Sequence, residues 1–216
     1  MQNLLITTSF APDAVIIGNG DFPTAEIPLA AISNARYICC CDGAAVSYIS
    51  HGFVPDAIVG DGDSLNEVFK EKYRDILHII DEQDDNDQTK ATRHCLSMGF
   101  RSIAYVGATG KREDHTLGNI SLIERYRNEM GIDAVMLTDH GYFVAAEGDA
   151  EFETFAGQQV SIFNFSCSRI ESNGLKWNSY AYGSWWQGTL NEATDNSVRF
   201  CADGRYLVFR TYKGKI

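Results

Sequence analysis

The chain has 216 residues and a net charge of −11, with an isoelectric point near 4.8. So acidic a surface repels a polyanion such as DNA, and it favours a cationic ligand or an anion that arrives with a divalent metal. Composition is ordinary for a globular protein, at 44% hydrophobic and 22% charged, and no apolar run approaches the ~18 residues of a membrane span.

The N-terminal stretch MQNLLITTSF lacks a basic start, a long apolar centre and a small-residue cleavage site. No leader is expected, and the expected location is the cytoplasm. Of six cysteines, Cys39, Cys40 and Cys41 are consecutive within the apolar run YICCC, and no CxxC spacing occurs. Buried reduced thiols are expected, not a zinc site.

In chain order, AVIIG (14–18) reads as a strand ending in Gly-Asn-Gly. YICCC (37–41) is a second strand, followed by the helical GAAVSYISHG. AIVG (57–60) is a third, before a polar helical segment through Tyr73. LHII (77–80) is a fourth, followed by the helical DQTKATRHCLSMG. SIAYVGA (102–108) is a fifth, before a helix from about His115 to Met130. Strand and helix in alternation predict an open, mostly parallel α/β sheet.

The pattern changes near residue 132. DAVMLTD, YFVAAEG, EFETFA and QQVSIFNFS are short, alternating and separated by Gly, Asp and Asn, and SVRFCADGRYLVFRTYK reads as a hairpin closed at Ala202-Asp203-Gly204. No helix is expected here. The fold class expected is an α/β N-terminal domain (1–140) joined to an all-β C-terminal sandwich domain (141–216).

Ligands of open α/β sheets bind at the carboxyl ends of the strands. The polar motifs fall there in turn: GNGD (18–21), CDGAA with Asp42, GDGDS with Asp61, Asp63 and Ser64, DEQDDNDQTK with Asp84, Asp85, Asp87 and Lys90, and GATGKREDH with Arg112, Asp114 and His115. Singly, each has a bland explanation: an Asp at a strand–helix junction is commonly an N-cap, and an acid-rich run a solvated loop. Together they gather carboxylates on one sheet edge, where like charges repel unless a hard cation such as Mg²⁺ intervenes. Gly62 would let the chain turn so that Asp61 and Asp63 face one ion. GATGKR lacks the Walker A spacing, but it is glycine-rich, precedes a helix and carries Lys111 and Arg112 beside the acids. These residues alone lead to a Mg²⁺-dependent enzyme acting on a nucleotide or another phosphate.

CDGAA, GFVPDAIVGDGDS, DDNDQTKA and GATGKREDHTLGNI, in that order through residues 41–120, with NGLKW at 173–177, resemble the thiamine pyrophosphokinase family. The resemblance implies an enzyme that moves the pyrophosphoryl group of ATP onto the hydroxyl of thiamine with Mg²⁺, releasing AMP. It also implies a homodimer with its active sites at the subunit interface. By position it assigns Asp61, Asp63, Asp84 and Asp114 to metal and Asp61, Asp63, Asp87 and Arg112 to catalysis. It assigns Asn19, Gly20, Lys90, Gly107, Thr109, Gly110, Lys111 and Arg112 to ATP, and Asp42, Asp87, Trp177, Asp195 and Asn196 to thiamine. Asn191 is the other candidate for the last of these contacts. The chain departs from the family pattern at Gly62, where an aromatic is usual, at Lys111, where glycine is usual, and at Asn86, where Thr is common. Trp185 and Trp186 have no assigned role. The competing readings are a metal-dependent phosphatase or sugar-nucleotide transferase, which also use Asp-x-Asp after a strand, and a thiamine- or nucleotide-binding sensor without turnover.

Overall fold

The computed structural model describes residues 3–214. They form two compact units. One holds residues 8–122 with 137–139, and the other holds 123–136 and 140–214 together with the first described residues up to Thr7.

The first unit is a parallel sheet with helices between its strands. Its strands are β1 (Ala14–Ile17), β2 (Tyr37–Cys41), β3 (Ala57–Gly60), β4 (Leu77–Ile79) and β5 (Ser102–Val106), in the order β5-β1-β2-β3-β4. All four pairings are parallel. Strands β1, β3 and β5 are buried throughout, as continuous apolar runs should be when both faces of a sheet are covered. Cys39, Cys40 and Cys41 lie in this core as free thiols.

The helices are α1 (Glu26–Asn34), α2 (Ala44–Ser50), α3 (Glu67–Lys72), α4 (Asp87–Ser97) and α5 (Glu113–Asn128), the last reaching into the second unit. Helix α1 was not among the expected elements. Its N-cap position, Ala25, has no side chain to cap with; the Asp139 carboxylate accepts from the amides of Thr24 and Ala25 instead, both at 3.0 Å. A cap supplied from more than a hundred residues away leaves no local signature.

Acids at the two ends of the parallel strands have different fates. At the amino ends, Asp56 accepts from the Ile38 amide at 2.7 Å and Asp13 from the Ser102 amide at 3.1 Å. They satisfy backbone groups that begin strands. The acids at the carboxyl ends form the site described below.

The second unit contains β6 (Asp133–Leu137), β7 (Gly141–Glu147), β8 (Ala150–Glu153), β9 (Gln158–Asn164), β10 (Ile170–Asn173), β11 (Asn191–Glu192), β12 (Ser197–Ala202) and β13 (Arg205–Gly214). They make two sheets, β11-β9-β13-β7-β6 and β10-β12-β8, with antiparallel pairings at β13 and β12. The sheets face each other as a sandwich. Phe200 of β12 lies 5.5 Å from Tyr206 of β13, and the buried Arg210 guanidinium lies about as far from Tyr142 of β7 as from Phe152 of β8, 4.8 and 5.0 Å. Arg210 also donates to the carbonyls of Glu153 at 2.6 Å and of Asn3 and Leu4 at 3.3 Å.

Two expectations for this region are corrected. Ala202-Asp203-Gly204 does not close a hairpin: β12 pairs with β8 and β10, β13 with β7 and β9, so the chain crosses between sheets there. The Asp203 carboxylate accepts from the amides of Ser168 and Arg169, both at 2.9 Å, and anchors the crossing. Nor is the region free of helix, since Trp185–Gly188 forms a 3-10 turn capped by Ser184 and Gln187.

Candidate active site

The carboxyl ends of β1, β2 and β3, the segment after β4, the start of α4 and residues of α5 surround a cavity of about 230 Å³. Gly18 and Asn19, Asp42 and Gly43, Asp61 and Ser64, the run 85–88, Lys90, His115 and Asn119 are among its lining residues.

Three carboxylates converge in it. Oxygen atoms of Asp42, Asp61 and Asp87 lie within 4.8 Å of one another. Asp42 follows β2 in a left-handed turn (φ 37°), a conformation that Asp tolerates better than most residues. It is buried; its Oδ2 accepts from the Ser64 amide at 3.1 Å, and its Oδ1 has no hydrogen-bond partner. A buried carboxylate oxygen without a donor costs free energy unless something positive meets it. Asp61 Oδ1 accepts from the Asp63 amide at 3.1 Å, the first cause of its lowered pKa; Gln83 and Lys90 add to it. Asp87 opens α4, and burial pushes its carboxyl up although Lys90 pulls the other way. Lys90 is buried one turn along the helix, its Nζ 3.5 Å from Asp87 Oδ1. The fourth acid lining the cavity, Asp85, pairs with Arg93 at 2.8 Å.

This answers how α4 can be a buried helix with a polar sequence: Gln88, Thr89, Lys90 and Thr92 are all buried. Asn86 caps it, accepting from the Thr89 amide at 3.0 Å and the Thr89 hydroxyl at 2.9 Å, and its own amide donates to Asn119 Oδ1 at 3.0 Å. Asn119 then donates to the Ala108 carbonyl at 2.9 Å.

Asn119, Asn19 and His115 also line an adjoining cavity of about 270 Å³ with Gly20, Thr109, Lys111 and Arg112. The loops after β1 and β5 are zipped together here. Gly20 donates to the Gly107 carbonyl at 2.6 Å and Asp21 to that of Thr109 at 2.8 Å. A Cβ on Gly20 would stand 2.1 Å from the Thr109 carbonyl oxygen, so only glycine fits. Gly107 and Gly110 adopt positive φ, 65° and 99°. Lys111 Nζ reaches Asn19 Oδ1 at 3.4 Å. The exposed Arg112 pairs with Asp114, whose carboxyl its hydrogen bond pulls down to about 2.

Of the acids named from the sequence, Asp42, Asp61 and Asp87 come together. Asp63, Asp84 and Asp114 are exposed and lie outside this cluster. Gly62 (φ 78°) turns the chain so that Asp63 offers Asp61 its amide. A Cβ at Gly62 would lie 2.7 Å from Ile79 Cδ1, a flexible tip that could move, but any side chain would be strained at this positive φ. Gln83 and Asn119 line the acid cavity but were not singled out from the sequence; Ser64, named in its motif without a role, lines it too. The long range of the Asn119 contacts, thirty-three positions from Asn86, hid that residue.

In the second unit, Trp177 is 55% exposed, with Lys176 Nζ 5.1 Å from its ring centre. The buried Asn191 fixes its backbone, accepting from the Trp177 amide at 3.2 Å and donating to its carbonyl at 2.7 Å. Asp195 and Asn196 form an exposed turn whose carbonyls accept from Thr154, the hydroxyl at 2.7 Å and the amide at 2.9 Å. Trp185 packs on Phe163 and Phe165, whereas Trp186 is 75% exposed.

The fold and cavity define a class: an α/β unit with a carboxylate-lined cleft beside a glycine-rich basic loop, with a two-sheet β unit. Family models narrow it. "Thiamin pyrophosphokinase, catalytic domain" matches residues 29–135, and "Thiamin pyrophosphokinase, substrate-binding domain" matches residues 141–209. The chain belongs to the thiamin pyrophosphokinase family. It is 29% identical to thiamine pyrophosphokinase 1 of Oryza sativa over 70% of this chain and 64% of the rice protein, and so spans less than two thirds of that relative. It is 32% identical to thiamin pyrophosphokinase 1 of Caenorhabditis elegans over 44% of this chain and 42% of that protein. The crystal structure of thiamine pyrophosphokinase from Bacillus subtilis shares its fold, with a TM-score of 0.72 at 21% identity over 93% of this chain and 99% of that one. The yeast enzyme's structure does so with a TM-score of 0.76 at 14% identity over 97% and 90%.

Proposed function

We propose that the protein is a thiamine pyrophosphokinase that transfers the pyrophosphoryl group of ATP to the hydroxyl of thiamine, giving thiamine diphosphate and AMP. The observation that carries this reading is the carboxylate cluster with the orphaned Asp42 Oδ1, set beside a glycine-rich basic loop in a chain of this family.

Three hard oxygen donors, one of them buried and unpaired, fit a divalent cation such as Mg²⁺. Asp42, Asp61 and Asp87 would hold it, with Asp63, Asp84 and Asp114 in outer positions on the neighbouring loops. Bound there, the ion would supply charge neutralisation for the polyphosphate. Asn19, Gly20, Gly107, Thr109, Gly110, Lys111 and Arg112 receive the nucleotide, the cations by charge and the loop by its close backbone. Asp87, which opens α4 at the edge of the cluster, also accepts the proton of the attacking hydroxyl. In-line attack at the β-phosphorus needs no covalent intermediate; positioning and electrostatics provide the rate.

We assign nucleotide and metal to residues 1–140 and thiamine, itself a cation, to residues 141–216 with help from Asp42 and Asp87. Trp177 stacks on the thiamine ring, and Asp195 and Asn196 line its place. The active enzyme is a cytoplasmic homodimer with active sites shared between subunits, and neither nucleic acid nor membrane is a partner. Among the described residues no helix is long and apolar enough to cross a membrane.

Phosphorus NMR of the protein with Mg²⁺, ATP and thiamine tests the reaction. AMP and thiamine diphosphate should appear together, and both should vanish in Asp61→Asn. ADP with thiamine monophosphate would overturn the site of attack, and thiamine binding without turnover would replace the enzyme with a sensor. Light scattering at increasing concentration decides the dimer.

A further inference from the structure

Lys90 is the one buried lysine among the described residues. Its side chain is 2% exposed, and it lines the acid cavity together with Asp42, Asp61 and Asp87, its ammonium 3.5 Å from Asp87 Oδ1. Burying an ammonium is unfavourable unless opposite charge meets it, so this placement needs the carboxylates. The need is mutual. Three carboxylates within 4.8 Å of one another repel; among the described residues Lys90 makes the ion pair to them, while the nearby Arg93 is committed to Asp85 and Glu82. Three negative charges against one positive leave a net of two negative, the charge that one divalent ion cancels. A second divalent ion would overshoot to two positive in a cavity of about 230 Å³.

A buried ammonium engaged on Asp87 is poorly placed to meet a phosphate arriving from solvent, whereas the exposed Lys111 and Arg112 are well placed. Resting on the reading of Asp42, Asp61 and Asp87 as a cation site, we propose that Lys90 is a positioning residue that serves as a built-in counter-ion. It holds the three carboxylates together before the cation binds and limits the site to one divalent ion. A tethered ammonium does this without the dehydration that a second Mg²⁺ would require.

The test is Mn²⁺ binding, by calorimetry and electron paramagnetic resonance, to the full chain without nucleotide. The wild type should take one Mn²⁺ per chain. Lys90→Met and the polar, neutral Lys90→Gln should bind Mn²⁺ roughly tenfold tighter or more, or take a second ion, because a positive charge beside the site is gone. Their metal-free unfolding temperatures should fall and the rise on adding Mn²⁺ should grow. Lys90→Arg, which keeps the charge, should stay near the wild type. Unchanged Mn²⁺ affinity and count in both neutral variants would overturn the proposal, as would two ions in the wild type or an arginine variant that behaves like the neutral ones. No Mn²⁺ binding by the wild type would instead remove the cation site itself.

Discussion

The side chains of Asn86 and Asn119 are bonded to each other at 3.0 Å, and Asn119 donates onward to the Ala108 carbonyl at 2.9 Å. The N-terminus of α4, where the acids stand, is thereby tied to the loop that carries Lys111 and Arg112. A Thr at position 86 could cap α4 with its hydroxyl; Asn caps it and has an amide to spare.

Asn119→Ala removes both bonds and should lower stability by about 1–2 kcal/mol. In steady-state kinetics the KM for ATP should rise several-fold while that for thiamine changes little. Equal rises would show that the bridge holds the fold without aligning the nucleotide loop.

Gly20→Ala should separate the loops after β1 and β5. Its methyl would overlap the Thr109 carbonyl, at a cost of about 2–4 kcal/mol. Gly118→Ala, in α5 with open space around it, should stabilise by about 0.5–1 kcal/mol. Urea unfolding of the two variants should therefore give shifts of opposite sign.

Trp177→Ala should raise the KM for thiamine at least tenfold and leave that for ATP within twofold. The side chain is largely exposed, so the unfolding temperature should hardly move. Binding that survives the substitution intact would take the thiamine ring elsewhere.

Alkaline pH should destabilise the first unit. Burial pushes the Tyr37 and Tyr48 hydroxyls up to about 12 and raises the thiols of Cys40 and Cys41. In the unfolded chain these groups ionise near ~10 and ~8.5. The native state therefore keeps protons that the unfolded state releases. Stability is complete below about pH 8 and is lost as pH rises toward 12. Denaturant midpoints from pH 7 to 11 should decline, and less steeply in Tyr48→Phe; a flat wild-type profile would contradict the burial argument.

Much of the first unit was legible because its signals are local. Each apolar run is a strand, and each ends in a Gly- or Asp-rich turn that delivers side chains to one edge. What escaped depended on contacts distant in sequence: the Asp139 cap on α1 and the Asn119 bridge. The β12–β13 region failed differently. Alternation around Asp-Gly is a fair hairpin signal, but strand partners are chosen by the two facing sheets, and Asp203 is spent on Ser168 and Arg169. Spacing suggested Asp61 and Asp63 as a pair, yet Gly62 reverses the chain between them. The partners that the structure brings to Asp61 come from other strand ends, which residue type marked as acidic but could not rank.

The buried Arg210 also bears on synthesis. The first unit is nearly contiguous, residues 8–122 with only 137–139 added, so it can consolidate as it leaves the ribosome. Asn3 and Leu4 leave earlier still, but the guanidinium their carbonyls receive belongs to β13, about two hundred residues later. These early residues are therefore incorporated late. Until then the segment before β1 is open to a protease or a chaperone, and its two carbonyls have no guanidinium to accept from.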